Sequence, residues 1–540
     1  MPNMVDYDKT YAEFKFDVPE YYNFARDVLD KWAQDPDKLA LWWVDDADNQ
    51  EKRTFAQLNQ RSRQLCNVLA EQGVKKGDTV IVVLPRLIEW WEINIACLRM
   101  GAVISPGTTQ LTAKDLKYRF ESADAVCVIT DADIAPKADE VRAECPTVKS
   151  FIIVGSTREG WTNYEEVVAP ASDQFETVNT KSDDNAILYF TSGTTGYPKM
   201  TVHTHASYPI GHLVTGKFWL DLGPDDLHWN LSDTGWAKAA WSSVFGPWSC
   251  GAAIFVHHTP RFDVKKTLTN LGKYPVTTMC GPPTAYRMFV LEDLAKYTFP
   301  SLRHVVAAGE PLNPEIIEVW QKATGLQIRD GYGQTESVCL AGTFTPLEVR
   351  AGSMGKPSPG FVVEVIDDEG NILPRGQEGD IAVKVKPVRP VGLFKEYWKN
   401  PEKTASTIRG DWYCTGDRAI KDEDGYLWFV GRADDVILAS GYRIGPFEVE
   451  SALIEHPAVA ESAVVSSPDP VRGEVVKAFV ILAPGYEGSD VLAKELQDFV
   501  KKNTAPYKYP RKIEFVETLP KTISGKIRRI ELREAEWATK

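Results

Sequence analysis

A short segment rich in glycine, hydroxyl side chains and charge follows an apolar run near residue 190. The run 186–190 has the composition of a buried strand, and residues 189–199 read YFTSGTTGYPK. Such a loop after a strand is typical of a phosphate-binding site, because glycine lets backbone N–H groups approach while hydroxyls and a lysine add donors and charge. The spacing differs from that of the common P-loop. By itself, the segment is equally compatible with a flexible surface loop.

Four further motifs follow along the chain: residues 330–336 (DGYGQTE), 413–417 (YCTGD), 431–435 (GRADD) and 520–526 (PKTISGK). In this order and spacing, the set resembles the adenylate-forming superfamily, which contains acyl-CoA synthetases, peptide-synthetase adenylation domains and luciferases. The resemblance extends from about residue 50 to the C-terminus. It is closest to medium-chain acyl-CoA synthetases, since residues 229–236 (WNLSDTGW) are also similar to that subfamily.

The resemblance implies an AMP-forming ligase that uses ATP, CoA and Mg²⁺, with a place in fatty acid metabolism. A carboxylate would attack the α-phosphate of ATP to give an acyl-adenylate and pyrophosphate, and the thiol of CoA would then attack the adenylate. Because a carboxylate is already ionised near neutral pH, the first step needs no general base. It does need neutralised phosphate charge and aligned reactants. The absence of a G-x-S-x-G motif agrees with this and argues against an α/β-hydrolase.

Matching of motifs assigns the chemical step to Lys526, Thr335 and Glu336, with Glu336 also placed at Mg²⁺. By the same resemblance, the ring of Tyr332 stacks on adenine, and Asp417 accepts hydrogen bonds from the ribose hydroxyls. The full set of implied ATP-binding residues is Thr191, Ser192, Gly193, Thr194, Thr195, Gly196, Lys199, Gly309, Glu310, Pro311, Asp330, Gly331, Tyr332, Gly333, Gln334, Asp417 and Arg432.

Each of these assignments has a simpler alternative. Asp417 and Arg432 could form a surface salt bridge near a domain boundary. Lys526 could belong to a solvated basic run together with Arg528 and Arg529. Glu336 could be a buried carboxylate that takes part only in a structural ion pair. The ordered set of motifs favours the catalytic interpretation in each case.

A second group matches positions that bind CoA or phosphate in medium-chain acyl-CoA synthetases. Its members are Gln110, Ser440, Gly441, Tyr442, Arg472, Lys501, Tyr509, Pro510 and Arg511. Individually they could be ordinary surface residues, but together they favour CoA over a carrier protein. Trp236, Gly333 and Arg443 are assigned to the acyl group and its phosphate. We expect Gly333 to set the acyl chain length, because its missing side chain opens space; the alternative is a purely conformational requirement for glycine.

The pattern of elements predicts an α/β fold. Strands alternate with helices over residues 79–154 and again over 252–330, which predicts two similar halves with parallel sheets covered on both faces. Short strands after Gly342 predict a β-rich subdomain. The mixed pattern at the C-terminus predicts a small α+β domain. Residues 1–50 carry many aromatic side chains and are interpreted as a packed extension without assigned chemistry.

Two domains are therefore expected: residues 1–432, an adenylation domain with the ATP and acyl sites, and residues 433–540, a mobile domain with the catalytic lysine and CoA contacts. The resemblance makes Asp434 the hinge between them.

Composition excludes several classes of protein. The net charge of −14 disfavours nucleic acid as a partner. The eight cysteines contain no C-x-x-C pair, so neither a zinc site nor a redox motif is predicted. No apolar run is long enough to span a membrane, and the first residues show neither a signal nor a transit pattern. These features predict a cytoplasmic protein, and the oligomeric state, including a homodimer, stays open.

Two rival functions remain at this point. An aromatic acid or an amino acid could be adenylated instead, for CoA or for a carrier protein. Asp233 leaves room for an amine, whereas Trp236, Trp241 and Phe245 favour an apolar tail. The other rival is a catalytically silent nucleotide-binding regulator, which the complete set of motif residues argues against. The sequence does not identify the acid.

Overall fold

The computed structural model describes residues 2–191, 198–433, 435–439, 442–469, 473–505, 507–521 and 526–538, without the side chains of residues 442 and 443. Its strands are β1 (Leu39–Asp45), β2 (Gln50–Thr54), β3 (Thr79–Val83), β4 (Val103–Pro106), β5 (Ala125–Thr130), β6 (Ser150–Ile153), β7 (Thr162–Asn163), β8 (Asn185–Thr191), β9 (Lys199–Thr204), β10 (Leu227–Asn230), β11 (Ala253–His258), β12 (Thr278–Gly281), β13 (His304–Ala308), β14 (Ile328–Gly333), β15 (Cys339–Gly342), β16 (Lys356–Pro357), β17 (Val363–Ile366), β18 (Glu378–Lys384), β19 (Glu396–Tyr397), β20 (Ile408–Arg409), β21 (Trp412–Lys421), β22 (Leu427–Arg432), β23 (Ile437–Ala439), β24 (Tyr442–Ile444), β25 (Val459–Asp469), β26 (Gly473–Leu482) and β27 (Lys512–Phe515).

The α-helices between them cover the faces of the sheets. They are α1 (Tyr7–Glu13), α2 (Asp30–Trp32), α3 (Phe55–Glu71), α4 (Ile88–Met100), α5 (Ala113–Ser122), α6 (Ala135–Arg142), α7 (Tyr164–Val168), α8 (His212–Val214), α9 (Ala237–Ala240), α10 (Gly246–Ser249), α11 (Val264–Lys273), α12 (Pro283–Phe289), α13 (Pro314–Thr324), α14 (Pro401–Ala405), α15 (Pro446–Ile454), α16 (Asp490–Asn503) and α17 (Arg529–Ala538). The predicted capping box at the start of α3 is present, with Thr54 and Gln57 hydrogen-bonded to each other's backbone.

The first α/β half is built on a sheet with the order β19-β9-β8-β4-β3-β5-β6-β7. Strands β3 to β8 run parallel, and β3 is buried at every position, as expected for the centre of a sheet covered on both faces. At the other edge, β8 and β9 form an antiparallel hairpin whose register pairs Thr191 with Lys199. The sequence did not predict β9. In the sequence, the glycine-rich segment connects these two strands.

The second half has the order β16-β15-β14-β13-β12-β10-β11-β1-β2. Its inner strands are parallel, and antiparallel pairs close both edges. The N-terminal region supplies two of these strands: β1 pairs with β11, with Leu41 opposite Ile254. The interpretation of residues 1–50 as an extension is therefore incomplete, because their apolar segment completes the second sheet.

A five-stranded β subdomain and a separate C-terminal unit follow. The subdomain has the order β17-β18-β21-β20, with β22 paired to β21. The C-terminal sheet has the order β24-β23-β26-β25, with β27 paired to β26. Its two buried apolar clusters consist of residues from Ile437 onward. A separate core agrees with the predicted C-terminal domain, although the boundary at residues 432/433 stays a prediction.

A buried ion pair ties the N-terminal region to the first half. Arg99 on α4 has a fully buried side chain, and its Nη2 lies 2.7 Å from Oδ1 of Asp30 on α2. Arg63 contacts the other oxygen of the same carboxylate at 2.9 Å. Asp30 therefore balances two guanidinium groups, one of which cannot reach water.

We expect the substitution Asp30→Ala to destabilise the protein by about 3 kcal/mol, because the buried Arg99 guanidinium loses its counter-charge and keeps only the neutral partners Ser62, Thr177 and Asn59. The midpoint of thermal unfolding measures this. The control is Asp293→Ala, which breaks the exposed pair with Lys296 and should cost less than about 0.5 kcal/mol. Equal midpoints for the two variants would contradict the expectation.

Candidate active site

The motif residues described by the structure converge at the carboxyl ends of parallel strands. β13 ends at Ala308, directly before Gly309, Glu310 and Pro311, and β14 carries Asp330 to Gly333. Ligands of open α/β sheets usually bind at this end of the strands. The hairpin β8–β9 and the strand pair β21–β22 carry further described motif residues. Asp417 on β21 and Arg432 on β22 are direct register partners.

A buried carboxylate connects three of the motifs. Oδ2 of Asp417 accepts hydrogen bonds from the Tyr332 hydroxyl and from Nε2 of Gln334, both at 2.6 Å. Nε of Arg432 lies 3.3 Å from Oδ1. Burial raises the pKa of Asp417, while the Arg432 charge and the two hydrogen bonds oppose this rise. A surface salt bridge does not describe this group, because Asp417 is buried.

Gln334 provides a further link between the same segments. Its Nε2 also donates to the carbonyl of Thr415 at 2.9 Å, and its Oε1 accepts from the Tyr413 hydroxyl at 3.3 Å. The amide therefore fixes the end of β14 against β21. Stacking of Tyr332 on adenine and binding of ribose by Asp417 stay predictions, and the hydrogen bond between them would hold both side chains in fixed relative positions.

The peptide carbonyl of Thr335 accepts two buried hydrogen bonds. Nε2 of His203 lies 2.6 Å away and the hydroxyl of Tyr208 lies 2.9 Å away. The rings of His203 and Tyr208 stack with centroids 3.6 Å apart. Burial lowers the pKa of His203 to about 3, so the ring is neutral. Since a carbonyl only accepts, Nε2 carries the proton and Nδ1 accepts from the Ser207 hydroxyl at 2.9 Å.

These contacts extend the sequence interpretation. His203 lies outside the five motifs, and the structure identifies the Thr335 carbonyl as its partner. Tyr208 was not predicted. Tyr208 belongs to none of the motifs. The only sequence feature that could have indicated it is its position five residues after His203.

Glu336 contacts a tyrosine that the sequence analysis also missed. The hydroxyl of Tyr397 donates to Oε1 of Glu336 at 2.7 Å, and the N–H of Phe394 donates to the Glu336 carbonyl at 2.7 Å. Tyr397 lies on β19, which pairs with β9. The ammonium of Lys199 lies 5.7 Å from the centre of the Tyr397 ring. Glu336 and the predicted phosphate-binding lysine therefore face the same aromatic side chain.

Lys526 from the C-terminal unit faces this site. Desolvation by the surrounding protein lowers the pKa of Lys526, and the charges of Glu310 and Asp417 oppose this effect. The side chain itself keeps access to solvent. Glu310 itself accepts from Thr284 and lies 3.0 Å from Nη2 of Arg287. The C-terminal unit is thus oriented with its predicted catalytic lysine toward the ATP-site carboxylates.

The geometry at Gly333 supports the conformational alternative, while the opening of the acyl pocket by this glycine stays a prediction. A Cβ atom on Gly333 would lie 2.5 Å from the carbonyl oxygen of Val338 and 3.3 Å from Cα of Cys339. Both are backbone atoms, so they cannot move aside as a flexible side chain could. Glycine is required here because the backbone of β15 approaches β14 closely, which was the conformational alternative.

Part of the predicted CoA group forms a cluster on the C-terminal unit. The charged ends of Lys501 and Arg511 lie over the ring of Tyr509, at 5.4 and 4.9 Å from its centre. Pro510, which lies between Tyr509 and Arg511 in the sequence, is buried. Gln110 is exposed in a loop of the first half. That loop touches the segment of Trp236, since a Cβ on Gly235 would meet the backbone N of Thr108 at 2.3 Å. A role in CoA binding stays a prediction.

Several predicted residues lie outside the described residues. They are Ser192, Gly193, Thr194, Thr195, Gly196, Asp434, Ser440, Gly441 and Arg472. The side chains of Tyr442 and Arg443 are also not described, although both residues lie on β24.

Within the described ranges, no group of three or more histidine, cysteine or acidic side chains could hold a metal ion by itself. Over the same residues, no helix is both long and apolar enough to cross a bilayer.

Two known protein families match this chain. The AMP-binding enzyme family matches residues 29–398, and the family of AMP-binding enzyme C-terminal domains matches residues 448–526. The rat protein named "Acyl-coenzyme A synthetase ACSM3, mitochondrial" is 56% identical, over 99% of this chain and 94% of its own length. The human protein of the same name is 55% identical, over 99% of this chain and 93% of its own.

These relatives confirm the predicted class of enzyme and correct the predicted location. The prediction of an acyl-CoA synthetase agrees with their names at high identity over nearly the whole chain. The expectation of a cytoplasmic protein is wrong, because the names of the rat, mouse, orangutan and human relatives all carry the word mitochondrial. The lack of an evident transit pattern in the first residues was the misleading feature.

Solved structures confirm the predicted fold class. A Brucella canis acyl-CoA synthetase is 36% identical with a TM-score of 0.76, covering 99% of this chain and 100% of that one. The anthranilate CoA ligase AuaEII, solved with anthranoyl-AMP, is 31% identical with a TM-score of 0.88, covering 97% of this chain and 99% of that one. With both family domains matched in order along its length, the chain belongs to the family of AMP-binding enzymes.

Proposed function

We propose that this protein ligates a short- or medium-chain carboxylic acid to CoA in two steps, through an acyl-adenylate, with release of pyrophosphate and AMP. The observation that carries the proposal is the position of Lys526, which faces Glu310, Asp417 and Arg432 at the carboxyl ends of the sheet strands. High identity to proteins named acyl-coenzyme A synthetases supports the choice of CoA as the thiol.

In the first step, this chain positions two anions and stabilises the charge that develops between them. Lys199 on the hairpin supplies positive charge for the β- and γ-phosphates. Thr335 is held by its carbonyl hydrogen bonds, so that its hydroxyl can contact the α-phosphate. Lys526 bridges the carboxylate and the α-phosphate. Such prepositioned donors are worth more than equivalent groups in water, because they need no reorganisation during the reaction.

Mg²⁺ fits the oxygen chemistry of Glu336. Oε1 of its carboxylate accepts from Tyr397, which fixes the group and leaves the second oxygen for another ligand. Mg²⁺ prefers one or two carboxylates together with phosphates and waters over a cage made wholly of protein. When bound with ATP, the ion would neutralise part of the triphosphate charge.

An aromatic acid is the second candidate for the substrate. The structural neighbours include the anthranilate CoA ligase AuaEII and a benzoate CoA ligase from Burkholderia xenovorans, the latter 28% identical with a TM-score of 0.83. Both names specify CoA as the acceptor. The names of the relatives with higher identity specify only an acyl group, so the aliphatic acid is the primary proposal.

The relatives' names also lead us to place the enzyme in mitochondria. Cell fractionation of the full-length protein, followed by protease protection of the mitochondrial fraction, tests this placement.

The function is tested by measuring pyrophosphate release with acetate, butyrate, hexanoate, octanoate, benzoate and an amino acid, with and without CoA. We expect aliphatic acids to support release and acyl-CoA to accumulate only when CoA is present. A preference for benzoate would select the aromatic alternative. Absence of release with every acid would contradict adenylation altogether.

We expect Lys526→Ala to lower the rate of adenylation by about 10²–10³-fold, the usual effect of removing one prepositioned donor. Thioester formation from supplied acyl-adenylate should stay nearly unchanged, since Lys526 acts on the first step. Lys521→Ala is the matched control, because Lys521 lies in the same segment but pairs with Glu461. Equal losses in both half-reactions would assign Lys526 to folding or to general nucleotide binding.

We expect Tyr208→Phe to slow adenylation by about 3–10-fold, in line with the loss of one buried hydrogen bond. The KM for ATP should change little, because the nucleotide contacts are retained. The double variant His203→Phe/Tyr208→Phe should lose more than the product of the single effects, since the Thr335 carbonyl then has neither donor.

Tyr189→Phe serves as the control for this pair. Tyr189 packs against Tyr208, and among the described residues its buried hydroxyl has no hydrogen-bond partner. Rates unchanged by Tyr208→Phe would show that the Thr335 carbonyl needs no fixed donor.

For Gly333→Ala we expect a similar loss of kcat/KM for acetate, butyrate and hexanoate, together with a lower midpoint of thermal unfolding. The added methyl group would displace the backbone of β15. Gly223→Ala is the control, because its Cβ would meet only Oδ2 of Asp226, at 3.8 Å. Selective loss of the longer acids with acetate retained would restore the role of Gly333 in chain-length selection.

A further inference from the structure

A lysine outside all the recognised motifs reaches into the active site. Lys238 lies on the short helix α9, two residues after Trp236. Its ammonium donates a hydrogen bond to the carbonyl of Ala308, the last residue of β13. A Cβ atom on the next residue, Gly309, would lie 3.2 Å from Nζ of Lys238. The ammonium therefore sits at the carboxyl end of β13, against the loop assigned to the nucleotide.

No carboxylate of the described residues lies within ion-pair distance of this ammonium. Burial lowers the pKa of Lys238, and the charge of Lys526 lowers it further, whereas the charges of Glu310 and Asp330 oppose this. Glu310 is already engaged by Arg287 and Thr284. Burial raises the pKa of Asp330 to about 8, so its carboxyl is mostly neutral near pH 7.

A partly buried cation without a nearby counter-charge, such as Lys238, is unfavourable unless a ligand supplies one. Burial lowers the pKa of Lys238 in agreement with this cost. Two anions have to enter this site, the triphosphate and the carboxylate of the acid. The residues predicted to contact the phosphates lie elsewhere: Lys199 lies on the hairpin, and Thr335 and Glu336 lie in the segment after β14. Lys238 instead belongs to the segment of Trp236 and Trp241, which the sequence assigned to the acyl group.

We propose that Lys238 binds the carboxylate of the acid substrate and holds it beside the α-phosphate before the two react. The inference rests on the proposed function and adds a residue to it. Lys238 would compensate part of the repulsion between the two anions. After the reaction, one carboxylate oxygen bridges to phosphorus and the other is a neutral carbonyl, to which the ammonium can still donate a hydrogen bond.

Lys238 should therefore distinguish an acid from its uncharged amide. The test compares wild type, Lys238→Met and Lys238→Arg in pyrophosphate release with butyrate, with butyramide as an inhibitor competing for the acyl site. In the wild type, we expect butyrate to bind more tightly than butyramide. In Lys238→Met, we expect a 10–100-fold higher KM for butyrate, a KM for ATP within twofold of wild type, and loss of the discrimination against butyramide. Lys238→Arg should recover part of the affinity for butyrate.

Lys217→Met is the matched control, since Lys217 is exposed and lies over the ring of Phe218. It should leave both KM values unchanged. The shift in unfolding temperature caused by ATP shows whether the nucleotide site of each Lys238 variant is intact.

Three results would overturn the proposal. A higher KM for ATP with an unchanged KM for butyrate would assign Lys238 to phosphate. Unchanged KM values for both butyrate and ATP would limit the role of Lys238 to its hydrogen bond with the Ala308 carbonyl. Retained discrimination against butyramide in Lys238→Met would place the carboxylate elsewhere. If the wild type releases no pyrophosphate with any acid, the proposed function itself fails, which is a separate outcome.

Discussion

The carboxylate of Asp417 is the interaction on which the predicted nucleotide site depends. It is buried, and it accepts from Tyr332 and Gln334 while Arg432 lies beside it. These groups come from β14, β21 and β22, so one acidic side chain joins the second sheet to the β subdomain. Replacing the acid would leave a guanidinium, a phenol and an amide without their common partner. The cost of unpaired polar groups in a buried place makes this arrangement specific.

A second set of part-buried hydrogen bonds organises Thr335 and Glu336, the residues predicted to lie next to the α-phosphate. The donors to Thr335 come from β9 and from the segment after it, and the donor to Glu336 comes from β19. Both strands belong to the first sheet, whereas Thr335 and Glu336 follow a strand of the second. The predicted catalytic residues Thr335 and Glu336 thus lie where hydrogen bonds join the two sheets. A reaction that needs no general base depends on such fixed positions more than on tuned proton transfer.

Local sequence predicted most elements but not the contacts between them. The predicted alternation of strands and helices over residues 79–154 and 252–330 is present, because apolar periodicity and caps are local signals. β1 was missed because its partner β11 lies more than two hundred residues away. Tyr208, Tyr397 and Lys238 were missed for a similar reason: each acts on a distant backbone or carboxylate. The close approach of β15 to Gly333 was also not predicted, because it is a tertiary feature.

The predicted catalytic lysine lies on a unit with its own hydrophobic core. Its position in the site therefore depends on the contacts between this unit and the rest of the chain. A direct contact between the two units is the hydrogen bond from Asn313 to Ser451, at 3.3 Å. Glu455 also faces Glu315 and Glu318, whose charges add to the effect of burial and raise the pKa of Glu455. At neutral pH these like charges oppose the observed orientation. Contacts that partly oppose one another would suit the predicted mobile domain, which is expected to deliver Lys526 for one half-reaction and withdraw it for the next.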